Sequence, residues 1–174
     1  MDNESIFFGQ KEKFAIEIKQ YKTTKEFYLR LWFQGKGIGD FRRQGSFDYI
    51  IKVYLTFINN QSSLYESKFD SLSDLEIIED VVLILFKDLD PEMEEYFFNR
   101  MNIYSFTFGD YQFNNFTFLL LNLENENKVK FLIYEMDGNS KPKTLSYKIE
   151  TNYFLSTYKS LIKYANENNL TSAD

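Results

Sequence analysis

Two stretches near the start of this chain change polarity at every residue. Phe14, Ile16 and Ile18 alternate with Ala15, Glu17 and Lys19, and Phe27, Leu29, Leu31 and Phe33 alternate with Tyr28, Arg30 and Trp32. A two-residue period sends successive side chains to opposite faces of extended backbone, so residues 13–20 and 26–34 predict two half-buried strands. The connector at 21–25, Tyr-Lys-Thr-Thr-Lys, is short and polar, which suits an antiparallel pair. Four later segments, 102–108, 115–123, 128–136 and 143–150, also read as strands. Turn clusters at 109–112, 124–127 and 137–142 separate them.

Elsewhere the period is helical. Phe47, Ile50, Ile51, Tyr54, Phe57 and Ile58 form one stripe over 46–60, with Ser46 as the expected cap. Leu75, Ile78, Val82 and Leu85 form a second over 74–90, capped by Ser73 or Asp74. Phe154, Leu155, Tyr158, Leu161, Ile162 and Ala165 form a third near the end, capped by Thr151 or Asn152. This order predicts an α+β fold, mainly antiparallel sheet with about three helices packed on it. With 19 Phe and 13 Tyr, few residues build a dense core. Only 2 Pro and 7 Gly leave no flexible linker, so the expectation is one domain over 1–174 with flexible ends at 1–5 and 168–174.

The chain has no Cys and no His. Thiolate chemistry, disulfides, Cys-ligated zinc and His-based triads are therefore excluded. Carboxylates, Lys, Tyr and Ser remain, and no calcium-loop motif is present. The expectation is no catalytic residue, no metal and no cofactor. The first residues are acidic and their apolar run is only Ile6, Phe7 and Phe8, unlike a secretory signal. The longest apolar run, 81–86, is too short to span a bilayer, so the expected location is the cytoplasm, with no membrane partner.

The formal charge is −6, and it is concentrated. Between residues 74 and 95 stand Asp74, Glu76, Glu79, Asp80, Asp88, Asp90, Glu92, Glu94 and Glu95 against the single base Lys87. Acidity argues against nucleic acid as a partner, because phosphate binding relies on Lys and Arg. It suits a basic protein surface. Part of the segment also reads as the wet face of the second helix, with 88–95 as a solvated loop. The aromatic residues fall mostly on apolar stripes, which favours core packing over base stacking.

The stretch 32–43, Trp-Phe-Gln-Gly-Lys-Gly-Ile-Gly-Asp-Phe-Arg-Arg, places Gly35, Gly37 and Gly39 at alternate positions. A dinucleotide loop needs G-x-G-x-x-G running directly into a helix, and a P-loop needs Ser or Thr after Gly-Lys. Neither is present. The expected structure is a tight hairpin at Gly35–Lys36 with a short return strand through Gly37 and Gly39. Arg42 and Arg43 could bind an anion at the helix start, although such pairs are commonly solvated.

These same residues resemble one group of immunity proteins from bacterial polymorphic toxin systems, including contact-dependent growth inhibition. That group has a second strand ending in an aromatic–x–G–x–x–IG–[DN] signature, matched here by Gly35, Ile38, Gly39 and Asp40. The helix opening Ser46, Phe47 and Asp48 resembles the group's, with one residue fewer between Ser and Asp. The later hairpin over 116–136 and the closing helix keep the same order. The resemblance implies tight stoichiometric neutralisation of a cognate toxin C-terminal domain, without catalysis. The toxin would act in the cytosol, as nucleases do, and the acidic residues of 74–95 would contact it. Two other readings stay open: a metal-dependent hydrolase built on converging carboxylates such as Asp40 and Glu17, and an adaptor or inhibitor outside toxin systems.

Overall fold

The computed structural model describes residues 4–20, 26–42, 44–106, 113–135 and 143–170. The connector 21–25, the turn clusters at 109–112 and 137–142, Arg43, the Ser46 side chain and the terminal residues 1–3 and 171–174 lie outside them. The fold is α+β, as expected, but the strands form two sheets of five and four rather than one. Alternation tells which face a side chain takes; it does not tell which sheet a strand joins. By its internal contacts the chain forms two compact units. One comprises Met1–Leu55, Thr107–Asn114 and Ile149–Asp174, and the other Thr56–Phe106 and Asn115–Lys148.

The first unit is built on strands β1 (Ile6–Gln10), β2 (Phe14–Gln20), β3 (Glu26–Phe33), β4 (Lys36–Ile38) and β5 (Gln44–Ser46). They run antiparallel in the order β1-β2-β3-β4, with β5 also pairing β3. The register sets Phe14 opposite Phe33, Ile16 opposite Leu31 and Ile18 opposite Leu29, so the expected apolar face is continuous and buried. Strand β1 was not legible as a strand; Ile6 and Phe8 pair with Ile18 and Ile16. Its sequence is too short to show a period.

The hairpin turn sits one residue earlier than expected, at Gln34–Gly35. Both have positive φ, 49° and 83°, the conformation a two-residue turn between twisted strands requires. Gly35 N donates to Lys11 O at 2.7 Å and Gln34 N to Lys13 O at 3.1 Å, tying this turn to the β1–β2 turn.

Helix α4 (Thr151–Glu167), the last of the chain's helices, packs on β1 and β2. It begins directly after a strand, with Glu150 as the capping residue and no side-chain cap bond. The expected caps Thr151 and Asn152 are already inside its first turn. Phe154, Tyr158, Leu161 and Ala165 are buried as the stripe predicts. Phe14 and Tyr54 both stack with Tyr158, at 6.2 and 5.8 Å between ring centroids. The Tyr158 hydroxyl is buried and finds no hydrogen-bond partner among the described residues. Burial pushes its phenol well above the usual range. Tyr158→Phe is therefore expected to raise stability by about 1 kcal/mol in urea unfolding, by removing an unsatisfied buried donor. A loss of that size instead would show that the hydroxyl has a partner.

Helix α1 (Phe47–Asn60) starts in the first unit and ends in the second. Its buried positions are Phe47, Ile50, Val53 and Phe57; Ile51 and Tyr54 are half-buried, and Ile58 is exposed. The true stripe is thus rotated slightly from the expected one, taking in Val53.

In the second unit, strands β6 (Ser105–Phe106), β7 (Phe116–Leu123), β8 (Lys128–Glu135) and β9 (Lys143–Glu150) lie in chain order, β9 ending in the first unit. Phe118 to Leu121 and Phe131 to Ile133 are buried at every position, so the central hairpin is covered on both faces. Helix α2 (Asp74–Val81) packs on β8, and α3 (Pro91–Tyr104) packs on β7. Here expectation and structure part. The helix expected over 74–90 ends at Val81 and is followed by a short 3-10 turn at Leu83–Phe86. Ile77, Ile78, Val81 and Val82 face inward, whereas Leu75 is 45% exposed. Of the loop expected over 88–95, residues 91–95 are the start of α3; of the strand expected over 102–108, residues 102–104 continue that helix, Ser105–Phe106 are strand, and 107–108 lie outside the described residues.

Candidate interaction site

The acidic segment takes its shape from two helix starts. Ser73 caps α2 as expected: its backbone N donates to the Glu76 carboxylate at 2.7 Å, and its Oγ accepts from Glu76 N at 3.4 Å. This reciprocal box satisfies two amides that the first helical turn leaves open. At α3, Asp90 accepts from Met93 N at 2.9 Å, and Pro91 occupies the first helical position, where a missing N–H is no loss. Asp90-Pro91 followed by Glu92 and Glu94 is a legible start signal. Acid density alone favours a loop over 88–95, whereas the Asp90-Pro91 pair starts a helix at Pro91.

Between α2 and α3 lies a buried ion network. Arg100 is only 6% exposed. It donates to Glu66 at 2.6 and 3.2 Å, to the Asp80 carboxylate at 2.6 Å and to the Asp80 carbonyl at 2.8 Å. Lys68 stands 2.8 Å from Asp80 and 3.4 Å from Glu66, and the Tyr104 hydroxyl donates to Glu66 at 3.0 Å. Partial burial works to raise the Glu66 and Asp80 carboxyls. The hydrogen bonds and positive charge of Arg100, with Tyr104 on Glu66 and Lys68 on Asp80, outweigh it and hold both below the usual carboxylate range. Burial and the neighbouring Glu66 carboxylate push the Tyr104 phenol up, so it stays a donor.

Both carboxyls are depressed in the folded state. Their stabilisation is complete above the unfolded carboxylate pKa, near 4, and is lost as pH falls through the folded values. Unfolding midpoints measured from pH 6 to pH 2 should therefore fall steeply below pH ~4. Asp80→Asn should flatten that limb; an unchanged limb would remove Asp80 from the network.

The nine acids thus divide. Asp74 pairs with Lys130 at 2.5 Å, Glu76 completes a cap, Asp80 holds Arg100, and Asp90 caps α3. Glu79, Asp88, Glu92, Glu94 and Glu95 are exposed. Beside the exposed acids of α3 stand Met93, Tyr96, Phe98 and Ile103, all exposed. Met93 falls in the stretch expected as loop and Ile103 in the stretch expected as strand, so no helical stripe joins them to Tyr96 and Phe98 in the sequence.

In the first unit, Ile38 is buried opposite Leu31, and Gly39 has φ +110° with the Phe113 ring against it. Asp40 receives a fork from Arg42, at 2.9 Å from Nε and 3.2 Å from the terminal nitrogen, and a backbone bond at 3.1 Å. Arg42, offered as an anion binder, is therefore turned onto Asp40. Glu17 is buried in β2, accepts from Trp32 Nε1 at 2.7 Å and faces Arg30 at 3.9 Å. Each carboxylate proposed for a hydrolytic pair is engaged by its own cation. Among the described residues no group of acids is placed to hold a metal, and no helix is long and apolar enough to cross a membrane.

A polar recess of about 200 Å³ lies in the second unit between Gln61, Tyr65, Asp70, Asn122 and Glu126. Its groups are mutually matched: Tyr65 donates to Asp70, Asn122 to Gln61 O, and Glu126 receives Lys148. In the Tyr65–Asp70 pair the hydrogen bond to the carboxylate pushes the phenol above its usual range, the opposite of an activated nucleophile.

No curated protein and no solved structure matches the chain significantly. A family model described as Immunity protein 42 matches residues 6–164, from the first residue of β1 into α4. That span takes in the glycine hairpin, both sheets and the acidic helices, and so the chain belongs to the immunity protein 42 family.

Proposed function

We propose that this chain neutralises a cognate toxin domain by stoichiometric binding, without catalysis, in the cytoplasm. The toxin is of the polymorphic or contact-dependent growth inhibition kind and acts in the cytosol, as a nuclease does. The observation that carries the reading is the family match over residues 6–164. Support comes from the candidate acids themselves, which are engaged in caps and ion pairs or stand exposed, with no desolvated pair tuned for proton transfer. The exposed acids of 74–95 contact a basic face of the toxin.

The test is co-expression rescue. The C-terminal domain of the toxin-like protein encoded immediately upstream is induced in a sensitive host with and without this chain, and the complex is read by co-purification. Rescue with a one-to-one complex is the expected result; no rescue and no complex would end the immunity reading for this toxin. The contribution of α2 is read with Glu79→Lys, since reversing Glu76 or Asp80 also breaks a cap or the Arg100 network. Glu79→Lys is expected to slow association and weaken its salt dependence while leaving the melting temperature in place, as rim charges do. Unchanged association kinetics would take α2 out of the contact.

A further inference from the structure

Helix α3 is built inside out. Its inward stripe is Phe97, Arg100, Met101 and Tyr104, and its two fully buried side chains are both polar-tipped. The buried guanidinium of Arg100 makes four hydrogen bonds to two acidic residues, Glu66 and Asp80. Meanwhile Tyr96 is 59% exposed and Phe98 51%, with Met93 and Ile103 also outside. These are four of the nine large apolar side chains exposed among the described residues, on one 14-residue helix. A helix needing only to cover its sheet and stay soluble would place these residues the other way round. Buried charge and exposed aromatic groups on the same element mark a surface kept for contact.

Tyr96 and Phe98 flank Phe97, so they stand about 100° to either side of the inward stripe and bracket the outward face. Glu92, Glu94 and Glu95 lie in the same two turns, and the helix's one cation, Arg100, is buried and neutralised. On the outward face Glu92 and Glu95 thus lie between two exposed aromatic edges, a composition that suits a basic partner surface with apolar walls. The Arg100 network fixes the helix before contact, which limits the ordering cost of association.

We infer that the outward face of α3 is the principal docking surface, with Tyr96 and Phe98 as anchors on its two edges and Glu92 and Glu95 between them. Its occupant is a protein groove with Lys or Arg on its floor and apolar side chains along its walls. The inference rests on the immunity reading, in which that groove belongs to the toxin domain.

The experiment uses the full chain and the upstream-encoded toxin domain of the rescue assay. Tyr96→Ala/Phe98→Ala is expected to weaken the complex at least about 100-fold and abolish rescue, since both exposed aromatic anchors are removed. Glu92→Lys/Glu94→Lys/Glu95→Lys is expected to weaken it roughly tenfold at low salt and little at high salt. All five side chains are exposed, so both variants should keep the wild-type circular dichroism; because Glu92 and Glu94 lie in the first turn of α3, the charge reversal is also expected to lower the melting temperature modestly. If wild type rescues and binds but both variants bind as it does, the α3 surface is wrong and the immunity reading stands. If wild type neither rescues nor binds, the immunity reading fails and this inference with it. A chain that is dimeric alone and becomes monomeric with Tyr96→Ala/Phe98→Ala would assign the face to a second copy and overturn the toxin contact.

Discussion

Arg100→Ala is expected to lower the unfolding free energy by about 2–3 kcal/mol, less than the cost of breaking a fully buried pair because the Glu66 and Asp80 side chains remain 30% and 27% exposed. Glu66 and Asp80 would each lose charge-assisted bonds of 2.6 Å, and the Asp80 carbonyl would lose its donor at 2.8 Å. Lys68 could still reach both carboxylates, but it is far more exposed than Arg100 and would hold them less firmly. The effect should appear as a lower urea midpoint with an unchanged slope. A second comparison separates charge from packing, because the guanidinium also lies 5.8 Å over the Phe69 and Tyr104 rings. In a Glu66→Gln/Asp80→Asn background, Arg100→Ala should cost much less if charge pairing dominates. An equal cost in both backgrounds would mean that packing does. A loss under about 1 kcal/mol would show that solvent screens the network as it does an ordinary surface pair.

Gly39→Ala is the second large effect. The residue has φ +110°, a backbone conformation that side-chain-bearing residues rarely adopt. A Cβ there would lie 2.6 Å from Cε1 and 2.9 Å from Cζ of the buried Phe113 ring. Strain and overlap together are expected to cost roughly 2–4 kcal/mol, seen as a lower melting temperature. Gly39→Ala/Phe113→Leu should recover part of that loss by relieving the overlap and leaving the strain. Full stability in Gly39→Ala alone would mean that the backbone there is free to turn to negative φ.

Gly39 also shows how far the residues alone reach. The glycine spacing was enough to reject a phosphate loop and to place a hairpin, and the structure moves the turn by one residue to Gln34–Gly35. That Gly39 must be glycine depends on its φ of +110° and on Phe113, which is remote in sequence, and the glycine spacing shows neither. The strands β2, β3, β7, β8 and β9 and helices α1 and α4 were legible because each buries one regular face or one long apolar run. Strand β1 was missed because three apolar residues carry no period. Helix α3 was missed because its pattern contradicts burial: a reader looking for apolar residues inside finds Tyr96 and Phe98 outside and Arg100 within.

The candidate site follows the same division. Its charge was visible in the composition, whereas the roles of its members were not. Asp80 and Glu79 are neighbours on the same acidic helix, yet one holds a buried arginine and the other is exposed. Local periodicity, the absence of Cys and His, and the glycine signature determined the fold class, the excluded chemistries and the family resemblance. Only tertiary structure decided which acids are structural, where Arg100 is neutralised and which aromatic side chains remain exposed. The reason is that a strand or helix period needs only neighbours along the chain. An ion network needs Glu66, Asp80 and Arg100, which come from separate elements and meet only when the chain has folded.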